Sequence, residues 1–157
     1  MNQQRRHILK ASSGSVVMAL AAAAGLFKVD SAFAQEWNKN AFEAKGLNEV
    51  VRALGGAMAT ESKDISFGNS PDIAENGAVV PVAVSSKIAK TESISILVEK
   101  NPNTLAASFT LPEGTEPALS TRVKMGQTSN VYALVKADGK YFYAVKEIKV
   151  TLGGCGG

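Results

Sequence analysis

Leu47, Val50, Val51, Leu54 and Met58 recur at spacings of three and four residues, which puts them on one face of a helix. Asn38 or Asn40 is placed to cap its start, and Gly46 and the pair Gly55-Gly56 weaken its continuity. Two short helices therefore fit the pattern as well as one long one. From Ile65 onward the period changes. Turn signals recur roughly every ten residues, at Asn69-Ser70-Pro71-Asp72, Asn76-Gly77, Asn101-Pro102-Asn103, Pro112-Glu113-Gly114, Gly126-Gln127 and Asp138-Gly139. Between them lie β-type runs at 78–84, 93–99, 105–111, 118–125, 130–136 and 140–152. Ile94, Ile96 and Val98 alternate with Ser95 and Glu99, predicting one buried face. Ile148, Val150 and Leu152 alternate with Glu147, Lys149 and Thr151 in the same way. Asp138-Gly139 is the strongest hairpin signal, because a tight I′ turn needs positive φ at both central positions. Short strands at this spacing predict an all-β, immunoglobulin-like sandwich of about seven strands with a short helical N-terminal extension. The Cys…Trp…Cys pin of antibody domains is absent, and Trp37 precedes the strands.

The first residues have a different character. Arg5-Arg6 is followed by His7, Ile8, Leu9 and Lys10, then by an apolar, alanine-rich stretch from Val16 to Phe27. Ala32-Phe33-Ala34 supplies small residues at both positions read by a signal peptidase. The adjacent arginines make residues 1–34 a twin-arginine type of export signal, cut before Gln35, with Ile8 where an aromatic residue is usual. A retained anchor is the alternative, but the apolar stretch is short for a span and ends in a cleavage site. The expected location is the periplasm, reached in the folded state, with no membrane association after cleavage. The expected divisions are 1–34 signal, 35–60 helical extension, 61–152 sandwich and 153–157 mobile arm.

Charge and composition change the picture once that signal is set aside. The chain of 157 residues carries a formal +3, from 17 basic and 14 acidic residues. Arg5, Arg6, Lys10, Lys28 and Asp30 belong to the signal, leaving 13 of each sign. The mature chain is neutral and has no nucleic-acid footprint. His7, the sole histidine, also leaves, and Cys155 is the sole cysteine. Ser-His-Asp and Cys-His catalysis, His-ligated zinc, c-type haem and an intramolecular disulfide are excluded. No spacing resembles a metal site, and no cofactor or enzymatic activity is expected.

The last segment is the informative one. A patterned strand ends at Leu152 and is followed by Gly153, Gly154, Cys155, Gly156 and Gly157. Each glycine costs backbone entropy when ordered, so this composition predicts a thin, mobile arm. Three residues separate Leu152 from Cys155, giving a reach of about 10 Å at ~3.3–3.6 Å per residue. Such an arm can carry a sulfur atom into a narrow cleft and withdraw it. Fixed catalytic groups belong on rigid elements, so a mobile thiol suits a tether better than a catalyst. The nearest basic residue is Lys149, and the Gly157 carboxylate lies close by, so activation of the thiol is expected from whichever enzyme the arm visits. The competing readings are an exported structural domain that dimerises through a Cys155 disulfide, and a thiol oxidoreductase, which lacks a resolving partner here. A ubiquitin-like Gly-Gly terminus disagrees with the export signal and would not need the cysteine.

The twin-arginine signal, a sandwich of this length, the terminal GGCGG and the segment AENGAVVPV at 74–82 together resemble the SoxY family, the sulfur-carrier subunits of the periplasmic Sox thiosulfate-oxidation system. The resemblance covers the whole chain. It implies a heterodimer with a SoxZ-like subunit. It further implies that SoxXA joins thiosulfate oxidatively to Cys155, that SoxB hydrolyses off sulfate, and that a SoxCD-like enzyme oxidises the remaining sulfane sulfur. Gly153, Gly154, Gly156 and Gly157 would form the arm.

Met58, Met125, Phe42, Phe67, Phe109 and Phe142 are expected in the core. Tyr141, Tyr143 and Val145 share one face of the last hairpin and are expected to pack the sheet, a partner surface being the alternative. Glu113 with Glu116 and Asp72 with Glu75 read as solvated loop carboxylates. The hairpin at Asp138-Gly139, or a sheet edge, is a candidate for partner docking.

Overall fold

The computed structural model describes residues 38–152. It is an immunoglobulin-like β-sandwich with two short helices laid on one outer face. The helices are α1 (Lys39–Glu43) and α2 (Gly46–Ala53). The strands are β1 (Ala59–Glu61), β2 (Ile65–Phe67), β3 (Ile73–Asn76), β4 (Val80–Ser86), β5 (Thr91–Val98), β6 (Leu105–Thr110), β7 (Ala118–Val123), β8 (Ser129–Ala137) and β9 (Lys140–Leu152). One sheet has the order β1-β9-β8-β5-β6, with β3 also paired to β9, and the other the order β2-β4-β7.

The helical stretch divides where its glycines fall. The Asn38 carboxamide oxygen accepts from the Ala41 N–H at 3.1 Å and so caps α1. The Asn38 amide nitrogen donates to the Ala53 carbonyl at 3.0 Å, joining the start of α1 to the end of α2. Gly46 opens α2 at φ +75°, and Gly55 closes the segment at φ +89°. That stop has a consequence for Met58. The three- and four-residue pattern no longer projects it onto the helix face, and it is 72% exposed rather than in the core. The chain instead enters β1 at Ala59.

Two apolar clusters share the large sheet. Between the sheets lie Val80, Val82, Val84, Ile94, Ile96, Val98, Met125, Val131, Val135 and Ile148, with Phe67 and Phe142 packed at their margin. On the outer face, Ala41, Val50 and Val51 of the helices cover Leu97, Leu105, Leu134 and Tyr141, with Phe42 and Tyr143 alongside. The alternation of Ile94, Ile96 and Val98 predicted one buried face for β5. Both faces are buried there, because Leu97 lies under the helices and Ser95 beside it is only 2% exposed. Ser95 Oγ meets its partner in Ser108 Oγ at 2.8 Å. Phe109 is 37% exposed, not core, since β6 is the edge of the wide sheet and the three-stranded sheet facing it is narrower. The outer row of β9 divides in three: Tyr141 is buried under the helices, Tyr143 is half-buried, and Val145 is exposed. The Tyr141 hydroxyl donates to the Leu54 carbonyl at 2.7 Å. The β8–β9 turn is of the expected kind, with Asp138 at φ 48° and Gly139 at φ 72°.

Strands β1, β2 and β3 escaped the sequence pattern. With three or four residues each, they are too short to show an alternation and are defined by what they pair with.

Candidate functional site: the root of the terminal segment

Cys155 and the glycines 153, 154, 156 and 157 lie outside the described residues, as do Arg5, Arg6, Ala32 and Ala34 of the predicted signal. The structure describes the strand from which the Cys155 segment departs.

β9 is the longest strand, at 13 residues. Its first nine residues pair antiparallel with β8, the ladder closing at Ser129↔Ile148. The last four pass beyond β8 and are held differently. On one side β3 runs parallel to them, with Ile73↔Lys149, Ala74↔Val150 and Asn76↔Leu152 in register. The Lys149 N–H donates to the Asp72 carbonyl at 2.9 Å, and the Gly77 N–H donates to the Leu152 carbonyl at 2.8 Å. The Thr151 hydroxyl donates to the Glu75 carbonyl at 3.1 Å. On the other side, where β8 has not begun, the Thr128 hydroxyl accepts from the Val150 N–H at 3.0 Å.

The turn that grips Leu152 is itself fixed. Asn76 Oδ1 accepts from the Ala78 N–H at 2.8 Å, an Asx turn. The Gly77 carbonyl accepts from the N–H of Met125 at 2.7 Å, and Met125 is fully buried. One residue, Gly77, thus joins the end of β9 to the core residue that follows β7. Behind β3, the Lys146 ammonium donates to the Ser70 carbonyl at 2.6 Å and pairs with Asp72 at 3.0 Å. Leu152 itself is 67% exposed, and Val79 on the adjoining turn is 55% exposed. Sequence reasoning picked out 74–82 only as a likeness and Asn76-Gly77 only as a turn. Neither a β3 strand nor a role for Thr128 was visible, since both depend on long-range pairing.

Among the described residues, no three His, Cys, Asp or Glu side chains come together as a metal site. Glu113 and Glu116 are exposed, and Asp72 has Lys146 as its partner. At the opposite end of the sandwich, a cleft of about 710 Å³ lies between the β4–β5 and β6–β7 connections, lined by Ile88, Thr91, Leu111, Pro112 and Pro117. It is remote from Leu152 by the length of β9. No helix among the described residues is long and apolar enough to cross a membrane.

Residues 51–155 match the family model of the sulfur oxidation protein SoxY. The chain belongs to the SoxY family. The matched span begins within α2, takes in every strand and reaches Cys155. Among solved structures, the chain is similar to the sulfur carrier protein SoxY from Chlorobium limicola f thiosulfatophilum, at 38% identity and a TM-score of 0.57, over 65% of this chain and 94% of that one. A superoxide reductase (neelaredoxin) from Ignicoccus hospitalis is more distant, at 20% identity and a TM-score of 0.48, over 63% of this chain and 86% of that one. A comparison with curated proteins gave no match.

Proposed function

We propose that this SoxY-family chain is a covalent carrier of sulfur intermediates in thiosulfate oxidation and not an enzyme. Membership of the family over a span that includes Cys155 carries this reading. The likeness to a solved sulfur carrier supports it. In this reading the Cys155 thiolate and the outer sulfur of thiosulfate form a disulfide bond, and the electron pair released passes to a c-type cytochrome of the SoxXA kind. Water then attacks the terminal sulfone. Sulfate leaves and a persulfide remains on Cys155. A SoxCD-like enzyme oxidises that sulfur before a second hydrolysis by a SoxB-like enzyme.

Gly153, Gly154, Gly156 and Gly157 let the segment pass through a narrow opening, since they add no side-chain width. The chain works as a heterodimer with a SoxZ-like subunit. It is exported folded through the twin-arginine route, with Arg5 and Arg6 as the recognised pair and cleavage after Ala34, and acts in the periplasm.

The test is the intact mass of the protein purified from the periplasm of cells oxidising thiosulfate, with and without reductant. The expected result is a mature chain starting at Gln35 that bears a sulfur-containing adduct on Cys155, lost on reduction. A Cys155→Ser strain should lose thiosulfate oxidation while its purified protein keeps the wild-type unfolding midpoint. A bare thiol under these conditions overturns the carrier reading and leaves a structural domain with an inert tail, and a reducible dimer alone overturns it in favour of a domain joined through Cys155.

A further inference from the structure

A carrier segment of a few residues delivers its sulfur accurately only if its point of departure is fixed. Gly77, Thr128 and Thr151 meet that need. The last four residues of β9 have left the β8 ladder, where a strand end ordinarily frays. Here they are gripped from both sides. The Gly77 N–H holds the Leu152 carbonyl at 2.8 Å. Thr151 Oγ1 holds the Glu75 carbonyl at 3.1 Å. Thr128 Oγ1 stands in for the missing β8 backbone and accepts from the Val150 N–H at 3.0 Å. The same hydroxyl lies 3.5 Å from the Val150 carbonyl. The grip is tied to the interior through the Gly77 carbonyl and the Met125 N–H.

We propose that the Asn76-Gly77 turn, with the Thr128 and Thr151 hydroxyls, is a clamp that fixes the position and direction from which the Cys155 segment leaves the body. These are positioning residues. The proposal deepens the carrier reading and rests on it for its functional part. With the pivot at Leu152, the thiol is confined to about 10 Å of that point, at ~3.3–3.6 Å per residue. Loosening the clamp would add the last residues of β9 to the length of chain between the body and the thiol and let the thiol range over a larger volume. An enzyme would then meet it in the right place less often.

The test uses the mature chain with whatever subunit copurifies with it, and compares Thr128→Val with Thr151→Val, singly and together. Valine keeps the shape of threonine and removes the hydroxyl. The first readout is amide hydrogen exchange. In the double variant the Val150 and Gly77 amides should exchange at least tenfold faster, while those of Val131, Ala133 and Val135 in β8 stay as in the wild type. The second is the spectrum of a spin label on Cys155, which should shift to faster motion. The third is thiosulfate oxidation by periplasmic extract depleted of the chain and resupplied with each variant. The half-saturating carrier concentration should rise about tenfold, with the maximal rate unchanged. Thr128→Ser and Thr151→Ser, which keep the hydroxyl, should restore all three.

Unchanged exchange and label motion would overturn the clamp. Faster exchange at the clamp with no change in half-saturation would overturn its positioning role and leave a strand end that is merely well packed. Normal oxidation with Cys155→Ser sinks the carrier reading and the positioning role with it, whatever the exchange shows. Should the double variant lose protection throughout β8, the single variants decide by the same readouts.

Discussion

Gly56 shows how little a residue's neighbourhood need resemble its sequence context. In sequence, Gly55-Gly56 reads as a pair that weakens a helix. In the fold the two differ. Gly55 adopts φ +89° with open space around it, so only its backbone conformation demands glycine. Gly56 has the opposite need. A Cβ there would stand 2.5 Å from Tyr141 Cδ2 and 2.8 Å from Val51 Cγ1. Both are buried residues of the helix-side cluster. The chain passes closely over the Tyr141 ring, which the hydroxyl bond to Leu54 anchors. The ring cannot swing away without giving up that bond. Gly56→Ala should therefore destabilise the protein by about 1–3 kcal/mol, the usual range for overpacking. Urea unfolding of the mature variant against the wild type measures it. A change below about 0.5 kcal/mol would mean that the ring or α2 yields freely. Met58 and Phe109 mark the same boundary. Their apolar character was plain in sequence, but their exposure depends on where α2 stops and on which strand lies at the edge.

At the scale of elements, the long strands were legible and the short ones were not. The 105–111 and 118–125 runs became β6 and β7 with ends shifted by a residue or two, and 140–152 became β9 unchanged. Alternation and turn chemistry carry that information locally. β3 carries none of its own, yet it holds the end of β9, and the site depends on it. The β8–β9 hairpin offers an electrostatic test. Glu92 of β5 accepts from the Lys136 ammonium at 2.8 Å and from the Gly139 N–H at 2.9 Å. Lys136 foremost, and then the backbone N–H of Gly139, hold the Glu92 carboxyl below its ordinary value. The hydrogen bond to Glu92 raises Lys136 above its own. The signs follow from linkage. The Glu92 contribution is fully present above the unfolded-state carboxylate value and is lost as pH falls through the lower folded value. The Lys136 contribution is fully present below the unfolded lysine value and is lost as pH rises through the higher folded one. The bridge therefore stabilises the hairpin across neutral pH and fades in acid. Both side chains are partly solvated, so the effect is small and sensitive to salt. In Glu92→Gln, the Gly139 amide should exchange faster at pH 7 than in the wild type, and the two rates, corrected for intrinsic exchange, should converge as pH falls through the lowered Glu92 value. A difference that persists in acid would assign the effect to shape and not to charge.

The described residues form three layers, and β8 links their two apolar clusters. Leu134 faces the helices and Val135 faces the second sheet, and both are at most 1% exposed. The helical layer is short. An isolated helix of the length of α2, eight residues, is not stable in water. Its order comes from Val50 and Val51 packing over Leu97, Leu134 and Tyr141. It follows that the helices cannot persist once the sheet opens. The sheet, for its part, would expose Leu97, Leu105 and Leu134 if the helices left, at about 1.5–3 kcal/mol for each large side chain. That sum is comparable with the 5–15 kcal/mol that holds a typical domain together. The layers should accordingly unfold as one unit. Leu134→Ala should cost about 2–5 kcal/mol through lost burial and the cavity left behind. Val135→Ala, with two fewer methyl groups in contact, should cost about 2 kcal/mol at ~0.8 kcal/mol per methylene-sized group plus a cavity contribution. Each should shift a single urea transition, with helical circular dichroism and the amide protection of β4 and β7 in the second sheet lost together. The slope of the transition should stay constant, because the same surface is exposed in every variant. If Leu134→Ala instead gave an early loss of helical signal while the β4 and β7 amides stayed protected, the helices would be a separable cover over a sandwich that stands alone.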